Sequence, residues 1–160
     1  MVDSADKLDA LLTVCRLLAA RGIAHAVIGG VAVGIRSGVP RATLDTDLAV
    51  DSSTDRDELT SCLIEAGFSL RGTFAHSINF RHPSGEPVQL VLDEAFDAMV
   101  ERAEPVAVGA DHVRVVIAED LIAMKELAAA DPARRPSKAL RDRADVALLR
   151  GDVGDPDEGW

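Results

Sequence analysis

The stretch HAVIGGVAVGIRSGVPRATLDTDLAVD, residues 25–51, carries the strongest structural pattern in the chain. It begins with a short apolar run that leads into two glycines, continues as a second apolar run, and ends in a strand pattern that contains Asp-Thr-Asp. Successive side chains of a strand alternate between its two faces, so Asp45 and Asp47 share one face and apolar residues occupy the other. Neighbouring carboxylates repel each other, and the pattern therefore predicts a compensating cation or free access to water.

Length and composition predict one cytoplasmic domain. The 160 residues are 48% apolar but only 3% aromatic, so the core must consist of aliphatic side chains. We expect one domain over residues 1–150 and an acidic, disordered tail over 151–160. No apolar run approaches a membrane span, and the acidic N-terminus lacks the basic region of a signal peptide. The net charge of −10 argues against a general nucleic-acid-binding surface.

Helical and strand patterns alternate along the chain and predict a fold that contains both. The apolar spacing predicts helices over residues 4–20, 31–38, 51–68, 95–102, 118–130 and 137–149. Strands are predicted over residues 25–30, 42–50, 69–74, 76–82 and 86–93, followed by a hairpin over 105–117. We expect one of Ser52, Ser53 and Thr54 to cap the helix over 51–68.

The glycine pair and the aspartate pair each have two interpretations when they are taken alone. A strand that passes through Gly29 and Gly30 into a helix leaves backbone N–H groups free to bind an anion, although an ordinary tight turn explains the same pattern. Asp45 and Asp47 are about 6.6 Å apart along a strand and can reach metal ions, although a solvated edge strand also places two acids this way.

Together these features are more specific. The order strand, Gly-Gly, helix and strand with Asp-x-Asp resembles the nucleotidyltransferase superfamily, whose fold is like that of DNA polymerase beta. The segment GGVAVGIRSGVPRATLDTDLAV is similar to minimal bacterial nucleotidyltransferases, which include the abortive-infection toxins of type IV toxin–antitoxin systems. The resemblance runs from about Leu8 to Leu149 and implies an α/β (α+β) fold with a mixed central sheet, flanking helices and a C-terminal helical pair.

The resemblance implies roles for named residues. Gly29 and Gly30 would hold the phosphates of a nucleoside triphosphate, and Asp45 and Asp47 would be the catalytic Mg²⁺ ligands. The products would be a nucleotidylated hydroxyl group and pyrophosphate.

Two further residues, Arg41 and Thr43, precede the carboxylates and are candidates for phosphate contact or for positioning the strand. A surface role explains Arg41 equally well.

Lys125 is a further candidate for nucleotide binding. It falls between Leu121 and Ile122 in the apolar arc of its helix, where an unpaired ammonium is costly, so we expect an anionic partner. That partner is either a bound triphosphate or a structural carboxylate such as Asp142. A helix–helix ion-pair network among Lys138, Asp142 and Asp145 is the alternative that we favour for the last helix.

The third carboxylate that active members of this superfamily usually carry is missing from its expected position. That position, between Val88 and Leu90, is Gln89, which is neutral and is neither a base nor a strong Mg²⁺ ligand. Asp93 lies on the same strand face, about 13 Å further along, and is the remaining candidate for the third catalytic carboxylate if the strand register differs or a bulge intervenes. Glu86 falls on the opposite face.

The sequence is therefore compatible with three functions. The first is an enzyme that transfers NMP from an NTP to a hydroxyl group of a protein, an RNA or a small molecule, and that acts as the toxin of a toxin–antitoxin pair. The second is a catalytically degenerate module that binds a nucleotide or a protein, which Gln89 favours. The third is a structural domain in which the aspartates form only a solvated face. A cognate antitoxin and a homodimer are both compatible with the exposed last helix.

Overall fold

A computed structural model describes residues 4–39 and 45–152 of the chain. The helices are α1 (Ser4–Ala20), α2 (Gly29–Ser37), α3 (Arg56–Glu65), α4 (Asp97–Arg102), α5 (Ala118–Ala130) and α6 (Pro136–Leu149), and a 3-10 turn spans Glu94–Phe96. The strands are β1 (His25–Ile28), β2 (Thr46–Val50), β3 (Ser69–Thr73), β4 (Ser77–Arg81), β5 (Pro87–Val91), β6 (Glu104–Val108) and β7 (Asp111–Val115). Within the described part of the chain, no helix is both long and apolar enough to cross a membrane.

The strands form one mixed sheet in the order β3-β4-β5-β2-β1-β7-β6. The β2–β5 and β1–β7 pairs are parallel, and the other neighbouring pairs are antiparallel. This arrangement confirms the α/β fold with a mixed central sheet and a C-terminal helical pair. Arg41, Thr43 and the first part of the strand predicted over 42–50 lie outside the described residues, as does most of the predicted tail.

The two faces of the sheet differ in burial around β2, β4 and β5. On one face the side chains are at most 1% exposed, and they include Leu48, Ile78, Phe80, Val88 and Leu90. Their alternation with half-buried residues matches the period of two that a strand imposes. Helices α1 and α3 belong to the layer that packs with the sheet, so the opposite face of β4 and β5 is left more accessible.

Two local predictions differ from the structure. The N-cap of α3 is Asp55, whose side chain accepts hydrogen bonds from the N–H groups of Asp57 and Glu58, so the expectation of a Ser or Thr cap is wrong. Asp55 is a better cap than Ser or Thr here because its carboxylate accepts both N–H groups and also interacts favourably with the helix dipole. The two glycines, predicted to end a strand, instead form the start of α2.

Candidate functional site

The first turn of α2 packs directly against the carboxylate of Asp47. β1 ends at Ile28, and Gly29 turns the chain into the helix with a φ of +69°, a conformation that other residues rarely adopt. A Cβ atom at Gly29 would lie 2.7 Å from Oδ2 of Asp47. Only glycine therefore fits between the start of this helix and the carboxylate.

The N-terminus of α2 has the properties of an anion site. Its N-cap residue, Ile28, makes no side-chain cap hydrogen bond, and Gly30 in the first turn is buried without a side chain. The first N–H groups of a helix have no intrahelical acceptor, and the helix dipole places partial positive charge at this end. The helix therefore presents donors and positive potential beside Asp47.

The ionised carboxylate of Asp47 is in an unfavourable electrostatic environment. Burial is the main cause that raises the pKa of its carboxyl group to about 6, and the charge of Asp45 raises it further. The ammonium groups of Lys125 and Lys7 act in the opposite direction. Oδ1 of Asp47 is buried and has no hydrogen-bond partner among the described residues. A buried acceptor without a donor is costly, and a cation would relieve both the repulsion and the missing contact.

The carboxylate pair fits a magnesium ion that has two protein ligands. Among residues 4–39 and 45–152, no group of three or more His, Cys, Asp or Glu side chains is placed to hold a metal. Mg²⁺ commonly binds through one or two carboxylates and completes its shell with water and substrate phosphates. The orphaned oxygen of Asp47 and its neighbour Asp45 match that donor set, and further ligands must come from a nucleotide or from water.

The strand register places Gln89 where the third carboxylate was expected. Asp47 pairs with Gln89 across the parallel β2–β5 ladder, which confirms the alignment assumed from the sequence. Asp93 lies beyond the end of β5 and caps the 3-10 turn by accepting a hydrogen bond from the N–H of Ala95 at 3.0 Å. The structure therefore brings Gln89, and not Asp93, beside the aspartate pair.

Lys125 lies at the border between the site and the C-terminal helices. Its Nζ is 3.1 Å from Oδ2 of Asp145 and 3.5 Å from Oδ1 of Asp142. Arg134 also binds Asp142, with its Nε 2.8 Å from Oδ2. The predicted ion-pair network of the last two helices is present for Asp142 and Asp145, but its cations are Lys125 and Arg134; Lys138 is exposed and forms no ion pair with the described residues. The charge of Lys125 also lowers the pKa of Asp47.

A buried cluster on the other side of β2 was missed by the sequence analysis. Glu86 is 1% exposed, forms an ion pair with Lys7 of α1 and accepts a hydrogen bond from the Thr46 hydroxyl at 3.3 Å. The signal that was available was Glu86 itself, since a charged residue at the buried position of a strand needs a partner.

Sequence comparison finds no protein-family model and no curated protein that matches the chain. The fold, in contrast, is similar to solved structures. The antibiotic-resistance factor ANT(2'')-Ia aligns in its solution structure with a TM-score of 0.71 and 17% identity, over 95% of this chain and 86% of that one. A second structure of the same factor, in complex with adenylyl-2''-tobramycin, aligns with a TM-score of 0.64 and 18% identity over 92% and 90%.

Two other proteins share the same architecture. The lincosamide antibiotic adenylyltransferase LnuA, bound to lincomycin, aligns with a TM-score of 0.65 and 12% identity over 91% of this chain and 97% of its own. An antigenic nucleotidyltransferase-like protein from Paracoccidioides brasiliensis aligns with a TM-score of 0.65 and 23% identity, over 96% and 80%. These likenesses confirm, at the level of the fold, the resemblance seen in the sequence: the chain has the nucleotidyltransferase fold.

Proposed function

We propose that the protein is a Mg²⁺-dependent nucleotidyltransferase, which transfers NMP from a nucleoside triphosphate to a hydroxyl group. The observation that carries this proposal is the contact between the start of α2 and Asp47. Three features lie together there: a helix N-terminus without a side-chain cap, a position that only glycine fits, and a buried carboxylate oxygen without a hydrogen-bond partner. The site therefore offers N–H donors for a phosphate and carboxylate ligands for its counter-ion. A metal–triphosphate requires both.

Each residue of the site has a role that follows from its position. The first N–H groups of α2 at Gly29 and Gly30 bind the phosphates, and Lys125 contributes positive charge on the side of the C-terminal helices. Asp45 and Asp47 hold Mg²⁺. When bound, the ion supplies charge neutralisation of the triphosphate and a lowered pKa for the attacking hydroxyl. The new bond joins the acceptor oxygen to the α-phosphorus, and the α–β bridging oxygen leaves with pyrophosphate.

The named activities of the structural neighbours are compatible with this proposal. LnuA is an adenylyltransferase, and ANT(2'')-Ia has been seen with adenylyl-2''-tobramycin. Both names describe AMP joined to an antibiotic, which is the reaction type proposed here. At identities of 12% and 18% the acceptor does not carry over to this chain.

Turnover with each NTP, labelled in its α-phosphate, tests the proposal. The wild-type protein should release pyrophosphate, with water as a slow acceptor, and should label a component of a bacterial extract. Asp45→Asn and Asp47→Asn should each abolish both signals, because neutral amides bind Mg²⁺ weakly. Asp57→Asn, on the first turn of α3, is the matched control and should retain both. Labelling that survives in Asp47→Asn would contradict the proposal.

A degenerate binding module is the second candidate, and Gln89 is the observation that favours it. Gln89 lies beside Asp47 in the ladder, where an acid would complete the donor set. If catalysis has been lost, the wild type binds Mg²⁺ and NTP without pyrophosphate release, and Gln89→Asp restores release whereas Gln89→Ala does not. If the enzyme is active with Gln89, both variants lower the rate or leave it unchanged.

We also propose that the protein is the toxin of a toxin–antitoxin pair, on the sequence resemblance alone. The expected result is growth arrest when the chain is expressed without a partner, and no arrest with Asp47→Asn. Relief of the arrest by a neighbouring gene would identify the antitoxin. A homodimer, the other partner considered, would be seen directly as a doubled mass in light scattering.

A further inference from the structure

A cleft of about 370 Å³ opens beside the aspartate pair on the accessible face of the sheet. It is lined by Asp45 and Gln89 and extends across β4 to Arg71 and Arg81. The ladder explains this arrangement, because Asp47 pairs with Gln89 and Gln89 pairs with Asn79 on the next strand. A row of polar side chains therefore runs from the aspartates outwards over three neighbouring strands.

Two arginines form the outer wall of the cleft. The register of β3 shifts between Leu70 and Gly72, and a bulge of this kind re-aims the residue that it contains, Arg71. Arg81 donates from Nη1 to the carbonyl of Gly85 at 2.7 Å, which fixes its guanidinium at the turn. The shape of this wall is thus set by the backbone and not by neighbouring acids.

The arginines of the cleft have no carboxylate partner among the described residues, although the chain has 27 acidic and 17 basic residues. Elsewhere several arginines pair with acids, as Arg16 does with Asp111, Arg36 with Glu104 and Arg102 with Asp120, whereas Arg56 and Arg114 donate to backbone carbonyls. Arg71 and Arg81 line one cleft together, so they give its outer wall a positive charge that favours an anionic ligand.

A second feature of the cleft points to a ligand independently of the charges. The side-chain Oδ1 of Asn79 is buried and has no hydrogen-bond partner in the described structure. Asn79 lies between Gln89 and Gly72 in the ladder, so its amide faces the middle of the polar row. A hydroxyl group of a bound molecule would satisfy this acceptor, since an unpaired buried polar atom is costly.

The direction of nucleotidyl transfer assigns the cleft a role. In phosphoryl transfer the attacking and leaving oxygens lie roughly in line on opposite sides of phosphorus. Asp47 has β1 and the start of α2 on one side, and Gln89 with the cleft on the other. If the α2 N-terminus holds the departing pyrophosphate, the attacking hydroxyl must arrive from the cleft.

We propose that the cleft beside Asp45 binds the acceptor, and that this acceptor is a small hydroxyl compound that bears a phosphate group, held by Arg71 and Arg81. This inference rests on the proposed function for the direction of attack. Two arginine forks match a phosphate dianion, and the volume suits a molecule of sugar-phosphate size. A long nucleic acid is disfavoured because the net charge of −10 repels polyanions away from the cleft. A cationic antibiotic is disfavoured by the same two arginines.

The test is an NMR titration of the full chain labelled with ¹⁵N, in the presence of Mg²⁺ and a non-hydrolysable ATP analogue. The probes are glycerol phosphate, glycerol and tobramycin. The readouts are the Nε–Hε signals of Arg71 and Arg81 in the wild type, and the backbone N–H signals of Asn79 and Gln89, which line the same cleft, in the wild type and in every variant. We expect glycerol phosphate to shift these signals, and glycerol and tobramycin to shift none of them. In Arg71→Gln/Arg81→Gln the dissociation constant for glycerol phosphate should rise by about tenfold or more.

A matched variant controls for the loss of two positive charges. Arg141→Gln/Arg143→Gln removes two exposed arginines from α6 and should leave the titration with glycerol phosphate unchanged. An equal affinity in Arg71→Gln/Arg81→Gln, or a shift of the cleft signals by tobramycin, would overturn the proposal. So would displacement of glycerol phosphate by the ATP analogue, because the cleft would then belong to the nucleotide.

The same titration separates this inference from the proposed function. If the ATP analogue does not bind but glycerol phosphate still shifts both arginines, the nucleotidyltransferase proposal fails and a phosphate site remains without its assigned role. If the analogue binds and glycerol phosphate does not, only the acceptor proposal fails. Single-stranded RNA is added as a further probe. If it shifts signals well beyond the cleft, the acceptor is a polymer and the proposal of a small acceptor is wrong.

Discussion

Gly29 meets two constraints at once, a left-handed backbone and the carboxylate of Asp47. Gly29→Ala should therefore cost more than the ordinary price of a side chain at positive φ, about 1–2 kcal/mol in the free energy of unfolding. It should also displace Asp47 and weaken the binding of Mg²⁺ with ATP. Urea unfolding and calorimetric titration measure the two effects.

Gly22 offers a control with the same backbone and no neighbour. Its φ is +66°, and a Cβ atom there would meet nothing within 4 Å. Gly22→Ala should show the backbone cost alone and leave nucleotide binding intact. Equal losses of stability and equal affinities in both variants would mean that the contact with Asp47 has no functional weight.

Asp47 makes the stability of the protein depend on pH in the direction opposite to that of a salt-bridged acid, whose pKa is lowered on folding. The pKa of Asp47 rises from the ordinary value of 3.8 to about 6 on folding, so the native state binds the proton more tightly. Stability therefore falls as the pH rises through this window, by on the order of 3 kcal/mol in total. Asp47→Asn should be more stable than the wild type at neutral pH, and the gain should vanish below about pH 4.

Unfolding curves collected across this pH range, without Mg²⁺, measure the effect. A carboxylate held at a cost to stability is expected where a protein retains a binding site. A difference between variant and wild type that is the same at both ends of the range would show that Asp47 is already well solvated in the native protein.

The helix pair α5–α6 contains a network of ion pairs around two buried aspartates and also an exposed ion pair, and we expect the two to contribute differently to stability. Lys125→Met removes the ammonium group shared by Asp142 and Asp145, each 1% exposed, while Arg134 still binds Asp142. The variant should therefore lower the free energy of unfolding by about 3 kcal/mol, the lower end of the loss for a broken buried ion pair. Arg150→Met breaks the exposed pair with Glu126 and should cost less than about 1 kcal/mol. Chemical denaturation of both variants makes the comparison.

The outcome also decides between the two interpretations of Lys125 that the sequence left open. A large loss of stability shows that the lysine supports the helix pair, whatever it does for a nucleotide. A stable Lys125→Met protein that no longer binds Mg²⁺ with ATP would show that Lys125 serves only the ligand.

Elements with a strong periodic pattern or clear end signals were predicted closely. The bounds of α1 and α5 agree with the sequence prediction. α1 carries a buried apolar stripe, whereas the apolar residues of α5 are distributed around the helix and its bounds follow from the residues at its ends, such as Asp131 and Pro132. The start of α3 was misplaced, since Ser52, Ser53 and Asp55 are all capping residues and local sequence does not rank them. Asp55 is selected by its hydrogen bonds to the backbone of its own first turn.

At the scale of the whole molecule, the site could be predicted only where sequence order determines it. Asp47 beside Gly29 follows from a short strand–helix–strand segment, and Gln89 beside Asp47 follows from the parity of one further strand. The cleft was not predicted, because it depends on the order of β3, β4 and β5 and on the bulge at Arg71. Pairings between distant segments are set by tertiary packing, which a local pattern does not contain.

Calorimetric titration with ATP, GTP, CTP and UTP shows whether Asp47 and the start of α2 together hold a metal–triphosphate. We expect the wild type to bind at least one of these nucleotides with Mg²⁺ and not without it, and Asp47→Asn, although folded, to bind none. If the folded wild-type protein binds no nucleotide in the presence of Mg²⁺, the proposed site is wrong.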